Sequence, residues 1–254
     1  MRLNNVFMVK AVLFDFIGTL AHLKHPKKAE ETAFKSAYKS LIKNGVEITY
    51  QEFKTAYFKL RSETLKILLD EELKEVNLCD RFSMTLKLLG HDLLPEDKII
   101  VEAADVFFSE YFKVLKLDEN TIPVLKELKE KYILGIVSLL MYSPPLQKFL
   151  DKHNMLDFFD VIVTSADVGY RKPHPKIFLA ALEKIGVKPL EVVFIGDDPI
   201  RDVLGAKNVG MKTILIQLEE KKSYRVKPDK IITELKQLPK VIEELQAEYT
   251  TPSK

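Results

Sequence analysis

The chain is predicted to be an α/β protein, a doubly wound, Rossmann-like parallel sheet with an all-helical cap inserted after its first strand. Three observations carry this. Val9 to Phe14, broken only by Lys10, is a continuous apolar run of the kind found in strands buried on both faces. From Asn120 onward, short β-branched runs alternate with helical stretches at the spacing of βαβ units. Between them, roughly Pro26 to Leu115 holds helical stretches and no convincing strand. The expected layout is an α/β core of residues 1–21 and 116–249, a helical cap of residues 22–115, and a disordered tail of residues 250–254.

Taken in order, the first strand ends in Asp15 and passes into a turn at Gly18-Thr19. The insertion then offers four helical stretches, Lys28 to Lys43, Tyr50 to Leu73, Leu78 to Leu89 and Glu96 to Val114. Pro95-Glu96-Asp97 places a proline and acids where a helix start favours them. Aromatics at helical spacing, Phe53, Tyr57 and Phe58 with Phe107, Phe108, Tyr111 and Phe112, are read as packing residues. Beyond the insertion, helix Ile122 to Lys131 precedes strand Ile133 to Val137, and Pro145 to His153 precedes Val161 to Val163. Pro175 to Ile185 then precedes Val192 to Ile195, and Arg201 to Asn208 precedes Thr213 to Ile216.

Composition bounds the function. With 254 residues, 46% of them hydrophobic, the chain can bury a full core. The net charge of +2 gives no bulk electrostatic reason to bind nucleic acid or an anionic membrane. Cys79 is the single cysteine, so no intrachain disulfide forms, and no apolar run reaches the roughly 18 residues of a membrane span. A soluble cytoplasmic protein, monomer or homodimer, is expected. Of 39 basic residues only six are arginine, and this Lys/Glu bias resembles the composition of hyperthermophile proteins.

Four polar features fall at strand ends. They are Asp15; Ser138, directly after Ile133 to Val137; the loop Gly169-Tyr170-Arg171-Lys172-Pro173-His174-Pro175; and Gly196-Asp197-Asp198-Pro199-Ile200-Arg201-Asp202 after Val192 to Ile195. Parallel strands bring these ends to one edge of the sheet, where ligands of open α/β folds bind. A carboxylate pocket with one hydroxyl and one lysine is expected there. Carboxylates at apolar strand ends are costly unless a metal, a cation or a catalytic task compensates them.

The order and identity of these residues resemble the haloacid dehalogenase superfamily, whose members are mostly phosphatases. The resemblance runs from about Met8 to Glu219 and includes the cap after the first strand. It implies that Asp15 is a nucleophile that becomes phosphorylated and that Ser138, Gly18, Thr19 and Lys172 bind the phosphoryl group of a small phosphorylated substrate. It further implies Mg²⁺ on Asp15, Asp197 and the backbone carbonyl of Ile17. Asp202 would act in the outer sphere or orient Lys172, and Asp198 is an additional candidate ligand.

Ile17 departs from the pattern. Phosphatases of the family carry an aspartate there, which protonates the leaving oxygen and then activates water, and isoleucine does neither. Leu139 likewise replaces a commonly found asparagine after Ser138. His22, His25, Lys24, Lys27 and Lys28, near the entry to the cap, are candidates for a substitute acid–base or Schiff-base group. Three readings follow. The first is a Mg²⁺-dependent phosphohydrolase working through an aspartyl phosphate, slow or suited to good leaving groups. The second is a non-catalytic binding or regulatory protein of the same fold. The third is a 2-haloacid dehalogenase, which the acidic cluster opposes, because Asp197, Asp198 and Asp202 near Asp15 would repel a carboxylate substrate.

Overall fold

The computed structural model describes residues 8–217 and 226–250. Six parallel strands form the sheet, β1 (Ala11–Phe14), β4 (Ile133–Ser138), β5 (Val161–Thr164), β6 (Val192–Gly196), β7 (Lys212–Ile216) and β8 (Lys230–Ile232), in the order β5-β4-β1-β6-β7-β8. The order reverses at β1, which pairs with β4 on one side and β6 on the other. Such a switch point opens a crevice at the carboxyl ends of the strands.

Alternate residues of β1 go to opposite layers. Ala11 and Leu13 pack with Ile177 and Phe178 of α8 (Pro175–Ile185). Val12 and Phe14 belong to the opposite layer with α5 (Thr121–Lys129), α6 (Pro144–Lys152) and α10 (Leu238–Thr250). Two short helices, α7 (Ser165–Val168) and α9 (Gly205–Asn208), follow β5 and precede β7. Residue Thr250, expected to begin a disordered tail, instead closes α10, because Leu238, Ile242 and Leu245 bury one face of that helix; residues 251–254 lie outside the described residues. Among the described residues no helix is long and apolar enough to cross a membrane.

Between β1 and β4 the chain departs through β2 (Ala21–Leu23) and returns through β3 (Leu115–Leu117), which pair antiparallel as a separate two-stranded ribbon. The inserted helices are α1 (Pro26–Lys43), α2 (Tyr50–Lys59), α3 (Leu78–Leu88) and α4 (Lys98–Lys113). A capping box between Thr49 and Glu52 starts α2. Where the sequence suggests one helix from Tyr50 to Leu73, α2 gives way at Leu60 to two wide turns closed by Leu65 N–H to Leu60 O and Glu72 N–H to Ile67 O. Phe34, Phe53, Tyr57, Phe82 and Phe107 interlock as the cap's aromatic core. Apolar packing continues into the sheet layer, since Phe149 of α6 meets Phe112 of α4 and Phe16 edge-on.

Candidate active site

The β1–β4 and β1–β6 registers, continued by one residue, bring Asp15 level with Val137 and Gly196. The motif residues after these strands therefore converge on one edge. Asp15 N–H donates to Ile195 O at 2.8 Å, pinning the strand end. Lys172, delivered by the loop before α8, lies buried with its Nζ 2.5 Å from Asp15 Oδ1 and 2.6 Å from Asp202 Oδ1. The other Asp202 oxygen accepts from Asp198 N–H at 3.0 Å. Carboxylate oxygens of Asp15, Asp197 and Asp202 all lie within 4.8 Å of one another.

Two glycines make this closeness physically attainable. At Gly18, with φ +111°, a Cβ would sit 2.5 Å from Asp197 Oδ2; at Gly196 it would sit 2.3 Å from Asp202 Oδ2. Side chains at either position would expel the carboxylate. Gly18 N–H, expected to face a phosphoryl group, instead donates to Ala21 O at 2.7 Å, because the turn closes on itself. The turn's hydrogen bonds use the carbonyls of Phe16 and Ala21, not that of Ile17. Thr19 Oγ1 is fully buried and has no hydrogen-bond partner among the described residues, an orphaned polar atom in the turn after Asp15. Ser138 is buried at the end of β4.

The electrostatics are one-sided. Burial pushes the Asp15 carboxyl up to about 7; Lys172 opposes the shift, and Asp202 and Asp197 reinforce it. Asp197 is raised as well, by burial and then by Asp202. Burial works against the Lys172 ammonium, but Asp15 and Asp202 outweigh it and raise its pKa. Asp198 stands apart in role. Its Oδ1 accepts from Ile200 N–H and Arg201 N–H, both at 2.8 Å, so it caps the turn beginning at Pro199, and it is not one of the three clustered carboxylates.

Ile17 lines a cavity of about 220 Å³ at the seam between cap and sheet, with Leu139, Met141 and Arg171 from the core loops and Arg61, Arg81 and Tyr111 among those from the cap. His22, His25, Lys24, Lys27 and Lys28 are not among its lining residues; His22 sits 3.7 Å from Asp118 beside the ribbon. No sequence motif includes Glu75, yet it organises the seam. Its Oε1 accepts from Arg81 Nη2 and its Oε2 from Arg171 Nη1 and Ser165 Oγ, all at 2.8 Å. Backbone bonds run alongside, from Glu75 N–H to Gly169 O, Arg171 N–H to Leu73 O and Leu78 N–H to Met141 O. Nothing local in the sequence marks Glu75, whose partners lie up to 96 positions away.

Comparison with known proteins agrees with this geometry. Residues 9–210 match the model of the haloacid dehalogenase-like hydrolases. A glyceraldehyde 3-phosphate phosphatase of Methanopyrus kandleri is 34% identical over 214 residues, covering 83% of this chain and 84% of its own. One of the same name from Pyrococcus furiosus is 32% identical over 246 residues, covering 92% and 93%. Among solved structures, a 2-haloacid dehalogenase from Pseudomonas syringae superposes with a TM-score of 0.70 over 94% of this chain and all of its own, at 23% identity, a likeness of fold. Matched by the family model over most of its length, and with phosphatases as its relatives in sequence, the chain belongs to the haloacid dehalogenase-like hydrolases.

Proposed function

We propose that the protein is a Mg²⁺-dependent phosphatase that hydrolyses a small phosphorylated metabolite through an aspartyl phosphate on Asp15. The observation that carries this reading is the cluster of Asp15, Asp197 and Asp202 around a single buried ammonium, Lys172. Three carboxylates facing one cation leave a negative excess, and all their donors are hard oxygens. Such a set fits Mg²⁺, which Asp15, Asp197 and the Ile17 carbonyl would hold, with Asp202 behind them. When bound, the ion supplies positive charge that offsets the repulsion between carboxylate and phosphate.

The chain's own groups do the rest. A carboxylate oxygen of Asp15 attacks phosphorus as the bond from phosphorus to the leaving oxygen breaks, and the electron pair departs on that oxygen. Lys172 holds Asp15 in place and puts an ammonium beside the transferring group. The Thr19 hydroxyl, which has no other partner among the described residues, and the Ser138 hydroxyl are donors for the phosphoryl oxygens. Water then cleaves the aspartyl phosphate, so that ester and water become alcohol and inorganic phosphate. Ile17 gives no proton to the leaving oxygen and takes none from the water. General acid–base help is worth on the order of 10²–10⁴ in rate, so turnover is slow with alkoxide leaving groups and faster with aryl or acyl phosphates.

The relatives' name makes glyceraldehyde 3-phosphate a substrate to assay first, beside an aryl and an acyl phosphate, with Mg²⁺ and with EDTA. Metal-dependent phosphate release that disappears in Asp15→Asn is the expected result. Release that persists in that variant removes Asp15 as nucleophile.

A further inference from the structure

Arginine is rare in this chain, six residues against 39 basic positions, and three of the six, Arg61, Arg81 and Arg171, line the cavity that begins at Ile17. The same three also line a second cavity of about 460 Å³, together with Lys66 and Asp70. They therefore stand between the two spaces as a shared wall. They come from three separate segments: the wide turn after α2, helix α3, and the loop that delivers Lys172. A lysine-rich surface has no electrostatic need for arginine at such points. What arginine adds is a planar fork that grips carboxylate or phosphate through two parallel bonds.

The charge balance points the same way. Glu75 and Glu30 are the acids among the residues lining the inner cavity, so three guanidiniums face two carboxylates. One of those carboxylates, Glu75, is shared by Arg81 and Arg171. Arg61 is about half exposed and meets Glu30 only at 3.5 Å, a long contact. The remaining wall is largely apolar, with Phe107, Phe108 and Leu140. At about 220 Å³ the space is that of a body of a few carbons, and its lining includes Ile17, Leu139 and Arg171, close neighbours in sequence of Asp15, Ser138 and Lys172.

We propose that this wall binds a second anionic group of the substrate, so that the preferred substrate is a short phosphorylated metabolite with a carboxylate or a further phosphate at its other end. The proposal rests on the phosphatase reading for the position of the first phosphate. Arg61 and Arg171 make the contact, and Arg81, held by Glu75 and by the Val76 carbonyl, sets the local potential.

The test is calorimetric titration of the Asp15→Asn protein, in Mg²⁺, with three probes of similar length: glycerol 3-phosphate, 3-phosphoglycerate and 1,3-propanediol bisphosphate. The two-anion probes should bind at least about tenfold more tightly than glycerol 3-phosphate, the scale of one charge-assisted bond. Whichever of the two binds better identifies the second anion as carboxylate or phosphate. Added separately, Arg61→Gln and Arg171→Gln should each bring the probes within about threefold of one another. Equal binding of all three probes overturns the proposal and leaves the phosphatase reading standing. An advantage that survives both substitutions also overturns it. Failure of every probe to bind removes the phosphatase reading and this one with it.

Discussion

Replacing Glu75 with alanine strips the seam between cap and sheet of the one carboxylate that Arg81 and Arg171 share. The Glu75 side chain is 1% exposed, Arg81 4% and Arg171 25%. Removing one partner from a buried ion pair costs about 3–5 kcal/mol, because the other charge stays buried and uncompensated. Arg81 carries most of that cost; Arg171, a quarter exposed, recovers part of its hydration. Ser165 Oγ and Val76 N–H lose an acceptor as well. For a chain of this size the loss corresponds to a fall of roughly 6–20 °C in Tm. Thermal and urea unfolding of Glu75→Ala measure it. Lys131→Ala, which breaks the exposed pair with Glu243, serves as the comparison and should leave the midpoint where it is. A Glu75→Ala protein less than about 1 kcal/mol weaker than the parent would refute the view that this ion cluster, rather than the apolar packing around it, fixes the seam.

Three further outcomes are expected. Ile17→Asp should raise phosphatase turnover at least tenfold, a fraction of the 10²–10⁴ at stake in acid–base help; steady-state rates that do not rise mean that the pocket has diverged beyond this one position. Asp197→Ala should weaken Mg²⁺ binding measured by calorimetry, and an unchanged isotherm removes Asp197 from the ligand set. In metal-free protein, burial pushes the Asp15 carboxyl up to about 7 from its ordinary 3.8. The folded form therefore holds more protons than the unfolded one between those values, and stability falls as pH rises from about 4 to about 7. Urea midpoints in EDTA at pH 5 and pH 8 check the sign. The pH dependence should shrink in Asp15→Asn, and an identical dependence in both proteins assigns it to other groups.

The edge that carries Asp15 is legible in the sequence because its logic is local. Asp15, Ser138, Lys172 and Asp197 each follow or precede an apolar run, and parallel strands bring such ends together whatever lies between them. The strands of the cap ribbon escape this logic, since Ala21–Leu23 and Leu115–Leu117 are too short to display a period. The break at Leu60 leaves no trace either, for no glycine or proline marks it and the residues around it favour helix. Neither β8, only three residues long, nor α10, with Leu238, Ile242 and Leu245 on its buried face, is among the elements expected from the sequence. The Glu75 cluster lies beyond sequence reading because its members are brought together by tertiary packing alone. The cap aromatics prove double in role. Phe53 and Tyr57 are core, while Phe107, Phe108 and Tyr111 are packed on one side and present a wall to the cavity on the other.

The ribbon of β2 and β3 has a mechanical meaning. Both crossings between sheet and cap run through it, and Ala21, His22 and Leu23 are locked in register with Leu117, Lys116 and Leu115. A two-stranded ribbon bends readily out of its plane, but sliding one strand along the other breaks every rung at once. The cap is therefore joined to the sheet at one pinned point and not by two independent cords. Together with Glu75, which holds Arg81 and Arg171 at the seam, this pinned register sets where the cap stands relative to the edge that carries Asp15.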